Sequence, residues 1–354
     1  MRIGPIEIAF PAVQAALSGY SDWPMRVIAR RLGAPYTLCE VLLDRFVLDQ
    51  HMQRANRRQL KVTDEEHPVG GQLMGADPEQ FGPAALRLVE AGFDVVDINF
   101  GCPVKKVLGR CRGGYLLSQP PTALEIVSRV RDALPPQIPV TVKMRRGLDD
   151  SPQSRDNFYT IFDGVFARGA AAVTVHGRTV VQRYDGPSNW DILAEVRRHA
   201  GYRTVLGSGD LFSAESCVEM LKHTGVNGVS IARGAIGNPW IFQQVRDVAA
   251  GRPVRWPGLH EQREVLAEHF RLSEEMYGEK RSCAMMRKFG IKYAQLHPRH
   301  QEVRQDFVAV AQSADWRAVL HRWYAEDLPG RAPGGQGELV DCGVAATGDE
   351  RLGE

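Results

Sequence analysis

The chain has 354 residues, of which 44% are hydrophobic and 24% charged, with a formal net charge of +2. This composition excludes a chain that is disordered throughout, and its length suits a barrel of about 250 residues with a smaller second domain. The near-neutral charge neither supports nor excludes a nucleic-acid partner, because basic residues can gather on one face.

Neither a structural metal nor a membrane segment is predicted. The six cysteines form no Cys-x-x-Cys pair and no Cys/His cluster with zinc-ligand spacing, which predicts no metal and a reducing, cytoplasmic setting. No stretch approaches about 18 uninterrupted apolar residues, and the N-terminus does not resemble a signal peptide.

Short β-branched runs recur along the first 250 residues, each followed by a polar or glycine-bearing turn and a helix-like stretch. Strands are predicted at 13–17 (the weakest), 37–40, 69–73, 94–99, 139–145, 172–176, 204–209 and 228–233. Helices are predicted at 78–91, 122–133, 158–168 and 213–223. Eight βα units predict an α/β fold, a closed (β/α)8 TIM barrel over 1–250, with a doubly wound open sheet as the alternative.

After Gly251 the pattern changes to helix without strands. Amphipathic segments at 260–277, 283–296 and 301–324 predict a C-terminal helical domain over 251–326. The remaining residues, 327–354, are rich in glycine and poor in aromatic residues, which predicts a disordered tail.

Polar residues close the predicted strands, where (β/α)8 enzymes carry their reactive groups. They are Glu40, Gln72, Asn99, Lys143, Arg145, His176, Arg178, Asp210 and Arg233. Any one of them alone is more often a residue that hydrogen-bonds a loop. Together, an amide, an amine, an imidazole and guanidinium groups could bind an electron-rich, phosphorylated heteroaromatic cofactor.

The last two turns predict a phosphate site. The segments GSGDL at 207–211 and IARGAIGNPW at 231–240 combine glycines with Asp210 and Arg233. Backbone N–H groups there would bind a phosphate, and Arg233 would add charge-assisted hydrogen bonds. Tight turns without a ligand are the alternative, against which Arg233 argues.

The segment INFGCPVKKV at 98–107 carries a cysteine in a turn rather than in a core run. Lys105 and Lys106 would make the surroundings of Cys102 electropositive, so its thiol could act as a nucleophile or as a proton donor. A lone cysteine is more often an inert core residue, and Cys111 in the same loop is a competing candidate.

Taken together, these residues resemble the dihydrouridine synthase family. INFGCPVKKV is close to the family's signature, an Asn-x-Gly-Cys-Pro followed by a Lys-Lys-Val-type loop. The similarity continues through VTVKMRRG, VTVHGRT, the SGD turn, GNPWIF and MRKFGIKY, as far as about Tyr324. It is greatest to the bacterial B-type group.

The resemblance implies a barrel that binds FMN at its top and a helical domain that binds tRNA. Cofactor contacts are implied for Ala16, Leu17, Ser18, Gln72, Lys143, His176, Ser208, Gly209, Asp210, Ala232 and Arg233. Substrate or RNA contacts are implied for Asn99, Lys105, Lys106, Arg145, Arg178, Arg287 and Lys288. We expect the protein to be a monomer.

The resemblance also implies the reaction. NADPH would reduce FMN, a uridine flipped out of tRNA would stack on the flavin, and hydride would pass from N5 to C6. Cys102 would protonate C5 as the general acid, and Lys143 would stabilise the anionic reduced flavin. A thiol with a pKa of about 8.5 is protonated at neutral pH and can still give up its proton.

The chain departs from the family's usual residues at five positions. Ala16 and Leu17 stand where the family usually has Pro-Met, Ser208 where it has Asn, Ala232 where it has Gly, and Tyr115 where it has a small residue. Leucine conserves the volume of methionine and serine retains a hydroxyl. In combination the changes bear on flavin affinity and substrate range.

Basic residues predict where RNA would bind. They are Lys280, Arg281, Arg287, Lys288 and Lys292 in the helical domain, and Lys105, Lys106, Arg110 and Arg112 near Cys102. For any single one, a solvated charged face is the alternative.

Three other functions compete with this one. A flavin enzyme for a small pyrimidine, of the dihydroorotate dehydrogenase type, would not need the basic helical domain. An aldolase would use Lys143 as a Schiff-base lysine. A relative that binds RNA without reducing it would explain the substitutions around the flavin, whereas Cys102, Lys143 and His176 favour activity.

Overall fold

The computed structural model describes residues 1–49 and 58–334, and its centre is a closed parallel barrel. A short antiparallel hairpin, β1 (Arg2–Ile3) and β2 (Ile6–Glu7), precedes it. The barrel strands are β3 (Ala12–Gln14), β4 (Thr37–Leu43), β5 (Val69–Met74), β6 (Val95–Phe100), β7 (Val140–Arg145), β8 (Ala172–His176), β9 (Thr204–Ser208) and β10 (Gly228–Ile231). Because β10 pairs with β3 as well as with β9, the predicted (β/α)8 barrel is confirmed and the open sheet is excluded.

Helices cover the outside of the barrel. They are α1 (Trp23–Arg31), α2 (Asp44–Leu48), α3 (Pro78–Glu90), α4 (Lys105–Leu108), α5 (Pro120–Ala133), α6 (Pro152–Ala167), α7 (Trp190–Ala200), α8 (Ala214–Thr224) and α9 (Ile241–Ala249). Several begin at a side chain that accepts a hydrogen bond from a backbone N–H of the first turn, such as Asp22, Asp77 and Ser213. These caps set where the chain turns from strand to helix.

Both faces of the barrel strands are buried, one against the surrounding helices and the other in the barrel interior. In β7, Val140, Val142 and Met144 are fully buried beneath the helices, whereas Thr141 and Lys143 alternate with them and face the barrel interior. The lower interior is apolar and contains residues such as Val13, Val95 and Leu206. Ile3 of β1 and Ile8, which directly follows β2, belong to that cluster, so this segment covers the N-terminal end of the barrel.

The C-terminal part is helical, as predicted, but the third predicted segment is wrong as a single unit. The helices are α10 (Leu259–Tyr277), α11 (Glu279–Tyr293), α12 (His300–Ala309) and α13 (Ser313–Trp323). The chain is extended at Val310, and Asp315 then accepts hydrogen bonds from the N–H groups of Ala311 and Gln312. This cap starts a new helix inside the predicted segment 301–324.

Two other predicted boundaries differ from the structure. The first barrel strand ends at Gln14 rather than at Leu17, because the N–H groups of Tyr20 and Ser21 donate to the carbonyl of Leu17 and form a turn. Ala16, Leu17 and Ser18 therefore lie in the β3–α1 loop. Helix α6 starts at Pro152 rather than at 158, because Ser151 caps it and proline suits the first helical position.

The start of the predicted tail is bound to the helices. The N–H of Leu259 donates to the carbonyl of Leu328, and the N–H of Arg331 donates to the carbonyl of Leu296. Residues 335–354 of the predicted tail lie outside the described residues.

The C-terminal helices pack on the barrel through α1. Trp23 and Ile28 form one apolar cluster with Leu272 and Met276 of α10. The hydroxyl of Tyr277 donates to Asp22 at 3.0 Å, at the start of α1. In the described part of the chain, no helix has the length and apolar character needed to cross a membrane.

A buried ion pair holds the base of the β3–α1 loop. Nε of Arg26 lies 2.7 Å from Oε1 of Glu66, and both side chains are at most 1% exposed. Arg26 also donates to the carbonyls of Ser21 and Lys61, and Glu66 accepts from the N–H of Thr63. The pair thus ties α1 and its preceding loop to the segment before β5.

We expect Glu66→Gln to lower the free energy of unfolding by about 3 kcal/mol, because it leaves the Arg26 guanidinium buried without a countercharge. Glu90→Gln is the control, since the Arg87–Glu90 pair is solvent-exposed and its loss costs less than about 1 kcal/mol. Chemical denaturation of both variants measures the difference, and equal small losses would show that the buried charge is compensated elsewhere.

Candidate active site at the barrel mouth

The barrel brings the predicted strand-end residues together at its C-terminal mouth. In the strand register, Asn99 is paired with Lys143, Arg145 with His176, and His176 with Ser208. Because parallel strands end at the same side of a barrel, side chains far apart in the sequence share one opening.

A hydrogen-bond chain crosses the first part of the mouth. Asp97 accepts from Nε2 of Gln72 at 2.6 Å and from Oγ1 of Thr141 at 2.5 Å. Oε1 of Gln72 accepts in turn from Nδ2 of Asn99 at 2.8 Å. Sequence analysis did not single out Asp97 or Thr141, although a carboxylate inside the apolar run VVDINF is an unusual strand residue that could have indicated it.

The same chain holds the turn that carries Cys102. Oδ1 of Asn99 accepts from the N–H groups of Gly101 and Cys102, both at 3.0 Å. The carbonyl of Cys102 accepts from the N–H of Gly114. A Cβ on Gly113 would lie 2.8 Å from the Cβ of Cys102, and Gly113 has a φ of +58°, so glycine is required there.

The environment of Cys102 favours a protonated thiol. Burial raises its pKa above the ordinary value, which a backbone hydrogen bond from Val104 and the charge of Arg145 only partly offset. The cation that acts on the thiol is thus Arg145, whereas Lys105 and Lys106 are exposed on α4. The competing Cys111 is also exposed.

Arg145 holds two loops together. Its guanidinium donates to the carbonyls of Gly101, Thr179 and Arg183 at 3.1, 2.7 and 2.6 Å, and the residue is 3% exposed. Burial lowers its pKa to about 10. The hydrogen bonds to Gly101 and Thr179 join the Cys102 turn to the loop after β8.

The buried Arg178 forms an ion pair with Asp210, which is half-buried. Nη2 of Arg178 lies 2.8 and 2.7 Å from the two carboxylate oxygens of Asp210, and it also donates to the carbonyl of Gly186. Asp210 further accepts from the N–H of Ser188. The Asp210 carboxylate is therefore paired with Arg178. The groups of this turn that can bind an anion are its backbone N–H groups.

The turn after β9 and the start of the segment after β10 contain hydrogen-bond donors. Among the hydrogen bonds of residues 1–49 and 58–334, none has the N–H of Gly209 or Asp210 as its donor. Arg233 lies between the rings of Tyr184 and Phe212, with Cζ 4.7 and 4.8 Å from their centroids. Its nearest carboxylate oxygen, on Asp210, is 3.8 Å away, so its N–H groups can still bind an anion.

The small residues of these two turns, Ser208 and Ala232, differ in position. The hydroxyl of Ser208 donates to the carbonyl of Ser230 and is buried, so it points into the barrel wall. Ala232 directly precedes the short 3₁₀ turn Arg233–Ala235.

At neutral pH, Lys143 is protonated and charged, whereas His176 is neutral. Burial, followed by the charge of Arg145, lowers the pKa of Lys143 to about 8, while Asp97 opposes this shift. Burial and the charge of Lys143 lower the pKa of His176 well below its ordinary value, so the imidazole is neutral. Its Nδ1 accepts from the N–H of Arg178 at 3.1 Å, which leaves Nε2 as an N–H donor.

The β3–α1 loop, which carries Ala16, Leu17 and Ser18, is held from both sides at Gly19. The carbonyl of Gly19 accepts from Nζ of Lys288 on α11, and its N–H donates to Glu40 at the mouth. Burial, followed by the charge of Asp22, raises the pKa of Glu40 to about 7, and Lys288 opposes the rise. Lys288, expected to contact RNA, contacts the barrel.

The other basic residues expected to bind RNA differ in exposure. Lys280 and Arg287 are exposed, and Arg110, Arg112 and Arg281 are half-buried. Lys292 is buried, so its assignment to a basic surface is wrong: α11 turns that side chain toward the helix packing.

Comparisons with known proteins identify the family. The family described as dihydrouridine synthase (Dus) matches residues 13–326. A Mycobacterium tuberculosis protein named probable tRNA-dihydrouridine synthase is 32% identical over 332 residues, covering 91% of this chain and 84% of that protein. The tRNA-dihydrouridine synthase B of Pseudomonas aeruginosa is 31% identical over 327 residues, covering 92% and 96%.

Solved structures share the barrel at low sequence identity. Morphinone reductase is 14% identical with a TM-score of 0.53, covering 72% of this chain and 89% of its own. Histamine dehydrogenase from Rhizobium is 16% identical with a TM-score of 0.53, over 77% of this chain, and the chain spans 50% of that protein. At such identities the likeness shows the fold alone.

The family match covers the barrel strands and the C-terminal helices together, and relatives above 30% identity align over nine-tenths of the sequence, so the chain belongs to the dihydrouridine synthase family.

Proposed function

We propose that this protein binds FMN at the barrel mouth and, with NADPH as the reductant, reduces uridines of tRNA to dihydrouridine. The observation that carries this proposal is Cys102, a thiol with a raised pKa in a turn that Asn99 holds at the mouth. A proton donor of this kind is what the reduction of a C=C bond needs in addition to a hydride. Relatives named tRNA-dihydrouridine synthase B support the substrate.

The donors at the mouth fit FMN. A flavin ring carries carbonyl oxygens and ring nitrogens that accept hydrogen bonds, and its phosphate carries strong acceptors. Lys143 and Nε2 of His176 offer N–H donors to the ring, and within the described residues no group accepts a hydrogen bond from Lys143. Arg233 and the N–H groups of Gly209 and Asp210 offer donors to the phosphate.

Cys102 and Lys143 would divide the remaining chemistry. The chemistry that a bound, reduced flavin would supply is a hydride for C6 of the uridine. Sγ of Cys102 gives its proton to C5, so that one hydride and one proton saturate the C5=C6 bond. The ammonium of Lys143 supplies positive charge at the acceptor-rich ring.

The RNA would reach this mouth as a flipped nucleotide, because a stacked base cannot approach a group inside a barrel. Lys105 and Lys106 are exposed on α4, directly after the Cys102 turn, and Arg287 is exposed on α11. These three cations suit contacts with the phosphates on either side of the target uridine.

The first test is the visible absorption of the purified protein, with mass spectrometry of any ligand released on denaturation. We expect flavin bands and released FMN. We expect Arg233→Ala to weaken FMN binding about 10- to 100-fold through the loss of charge-assisted hydrogen bonds, while Arg155→Ala on the exposed surface leaves it unchanged. A colourless protein that traps a carbonyl compound on borohydride treatment would instead favour a Schiff-base function of Lys143.

We expect Cys102→Ala to slow dihydrouridine formation by about 100-fold or more, because the proton donor is lost, while FMN and RNA binding stay unchanged. Cys111→Ala is the matched control in the same loop, and we expect a normal rate. Single-turnover assays with reduced enzyme and tRNA measure both. The reverse pattern would make Cys111 the acid.

The rate should also report the charge of Lys143. A lysine with a pKa of about 8 is charged below that pH and neutral above it, so we expect uridine reduction to fall as the pH rises through about 8. Lys143→Arg keeps the charge, and its decline should move to a higher pH. An identical profile for both enzymes would remove Lys143 from the rate-determining chemistry.

A further inference from the structure

A carboxylate lies inside the barrel, where burial is costly. Asp97 is 2% exposed, and Val96 and Ile98 on either side of it are fully buried. Burial raises its pKa, and the hydrogen bonds from Thr141 and Gln72 only partly offset that rise. The hydrogen bonds of a buried carboxylate can fix the orientation of its neighbours, which an apolar side chain cannot do.

Asp97 sets the direction of the hydrogen-bond chain, that is, which way the amide groups of Gln72 and Asn99 face. Both carboxylate oxygens of Asp97 accept hydrogen bonds, one from Gln72 and one from Thr141, so the amide nitrogen of Gln72 faces Asp97 and its oxygen faces away. The amide nitrogen of Asn99 then faces Gln72, and its oxygen faces the N–H groups of Gly101 and Cys102.

Without the carboxylate, either amide could rotate by a half-turn. A flipped Asn99 would direct its NH2 group at two backbone N–H groups, and the N–H groups of Gly101 and Cys102 would both lose their acceptor, Oδ1 of Asn99. Gln72 and Asn99 each keep a second amide hydrogen, and none of the described residues accepts a hydrogen bond from it. In the present direction these donors suit the carbonyl oxygens of a cofactor or a uracil.

We propose that Asp97 is a positioning residue of the reaction, which acts through Gln72 and Asn99 to fix the turn that carries Cys102. The inference rests on the proposed function, because it assigns Asp97 an effect on the proton transfer from Cys102.

The test compares three variants in two backgrounds. Asp97→Leu removes the acceptor, Asp97→Asn keeps an oxygen for Gln72 and places its amide nitrogen at Oγ1 of Thr141, and Thr141→Val removes the other hydrogen bond of Asp97. Each is made with Cys102 and with Cys102→Ala. The measurement is the single-turnover rate of dihydrouridine formation by flavin-loaded, reduced enzyme with tRNA, together with the rate of flavin reduction by NADPH and the melting temperature.

We expect Asp97→Leu to slow dihydrouridine formation about 100-fold, because the proton donor is misplaced. When Cys102 is already alanine, the same change should cost at least about tenfold less, because only the effect of Asp97 on the charge of Lys143 remains. Asp97→Asn should retain the rate within about tenfold, because an acceptor for Gln72 remains. Thr141→Val should cost less than about threefold and the same factor in both backgrounds, since it leaves the chain to Cys102 intact.

An equal loss from Asp97→Leu in both backgrounds would overturn the inference, because the effect would then bypass Cys102. If Asp97→Leu does not fold, Asp97→Thr replaces it: its hydroxyl can donate as well as accept and so imposes no direction, and the same non-additivity is expected at about tenfold. A normal rate for Cys102→Ala alone would overturn both this inference and the assigned acid, whereas equal losses in the two backgrounds would leave the proposed function standing.

Discussion

The pairing of β10 with β3 is the interaction on which the rest of the molecule depends. Closure brings the first and last βα turns together, so that the β3–α1 loop and Arg233 border the same opening although more than 200 residues separate them. An open sheet with the same strands would direct its turns along an edge and could not surround a ligand. The chemistry of the mouth is thus a consequence of a closed hydrogen-bond ladder.

Buried charge gives the mouth its rigidity. Arg145 and Arg178 are almost fully buried, and both donate to backbone carbonyls of the loop after β8. Burying these guanidinium groups costs desolvation free energy, and their hydrogen bonds hold the loop in one conformation. Burial and the charges of Lys143, Arg145, Arg178 and Arg233 lower the pKa of His176 and keep its imidazole neutral. One carboxylate, Asp97, opposes the loss of charge on Lys143. The same buried charges therefore set both the shape and the protonation of the site.

The sequence was sufficient to predict the barrel, because the period of β-branched runs and the polar residues that end them follow local rules. It predicted which residues reach the mouth, such as Lys143 and His176, but not what Arg145 and Arg178 do there. Their partners lie 8 to 44 residues away in loops whose conformation no local pattern encodes. Asp97 was missed for a related reason: its partners Gln72 and Thr141 belong to neighbouring strands, and only the register brings them to it.

The hairpin of β1 and β2 has a consequence for the order of events. Within the described residues, Ile3 and Ile8 pack in the apolar cluster at the N-terminal end of the barrel, so the interior is closed at that end and the proposed ligands would approach from the C-terminal mouth. In the proposed function, a nicotinamide donor and a nucleotide of an RNA chain would both have to reach the flavin ring through this mouth, and they would compete for it. Under the proposed function, these two ligands would bind one after the other, with the first leaving before the second enters, which is the order of a ping-pong kinetic scheme.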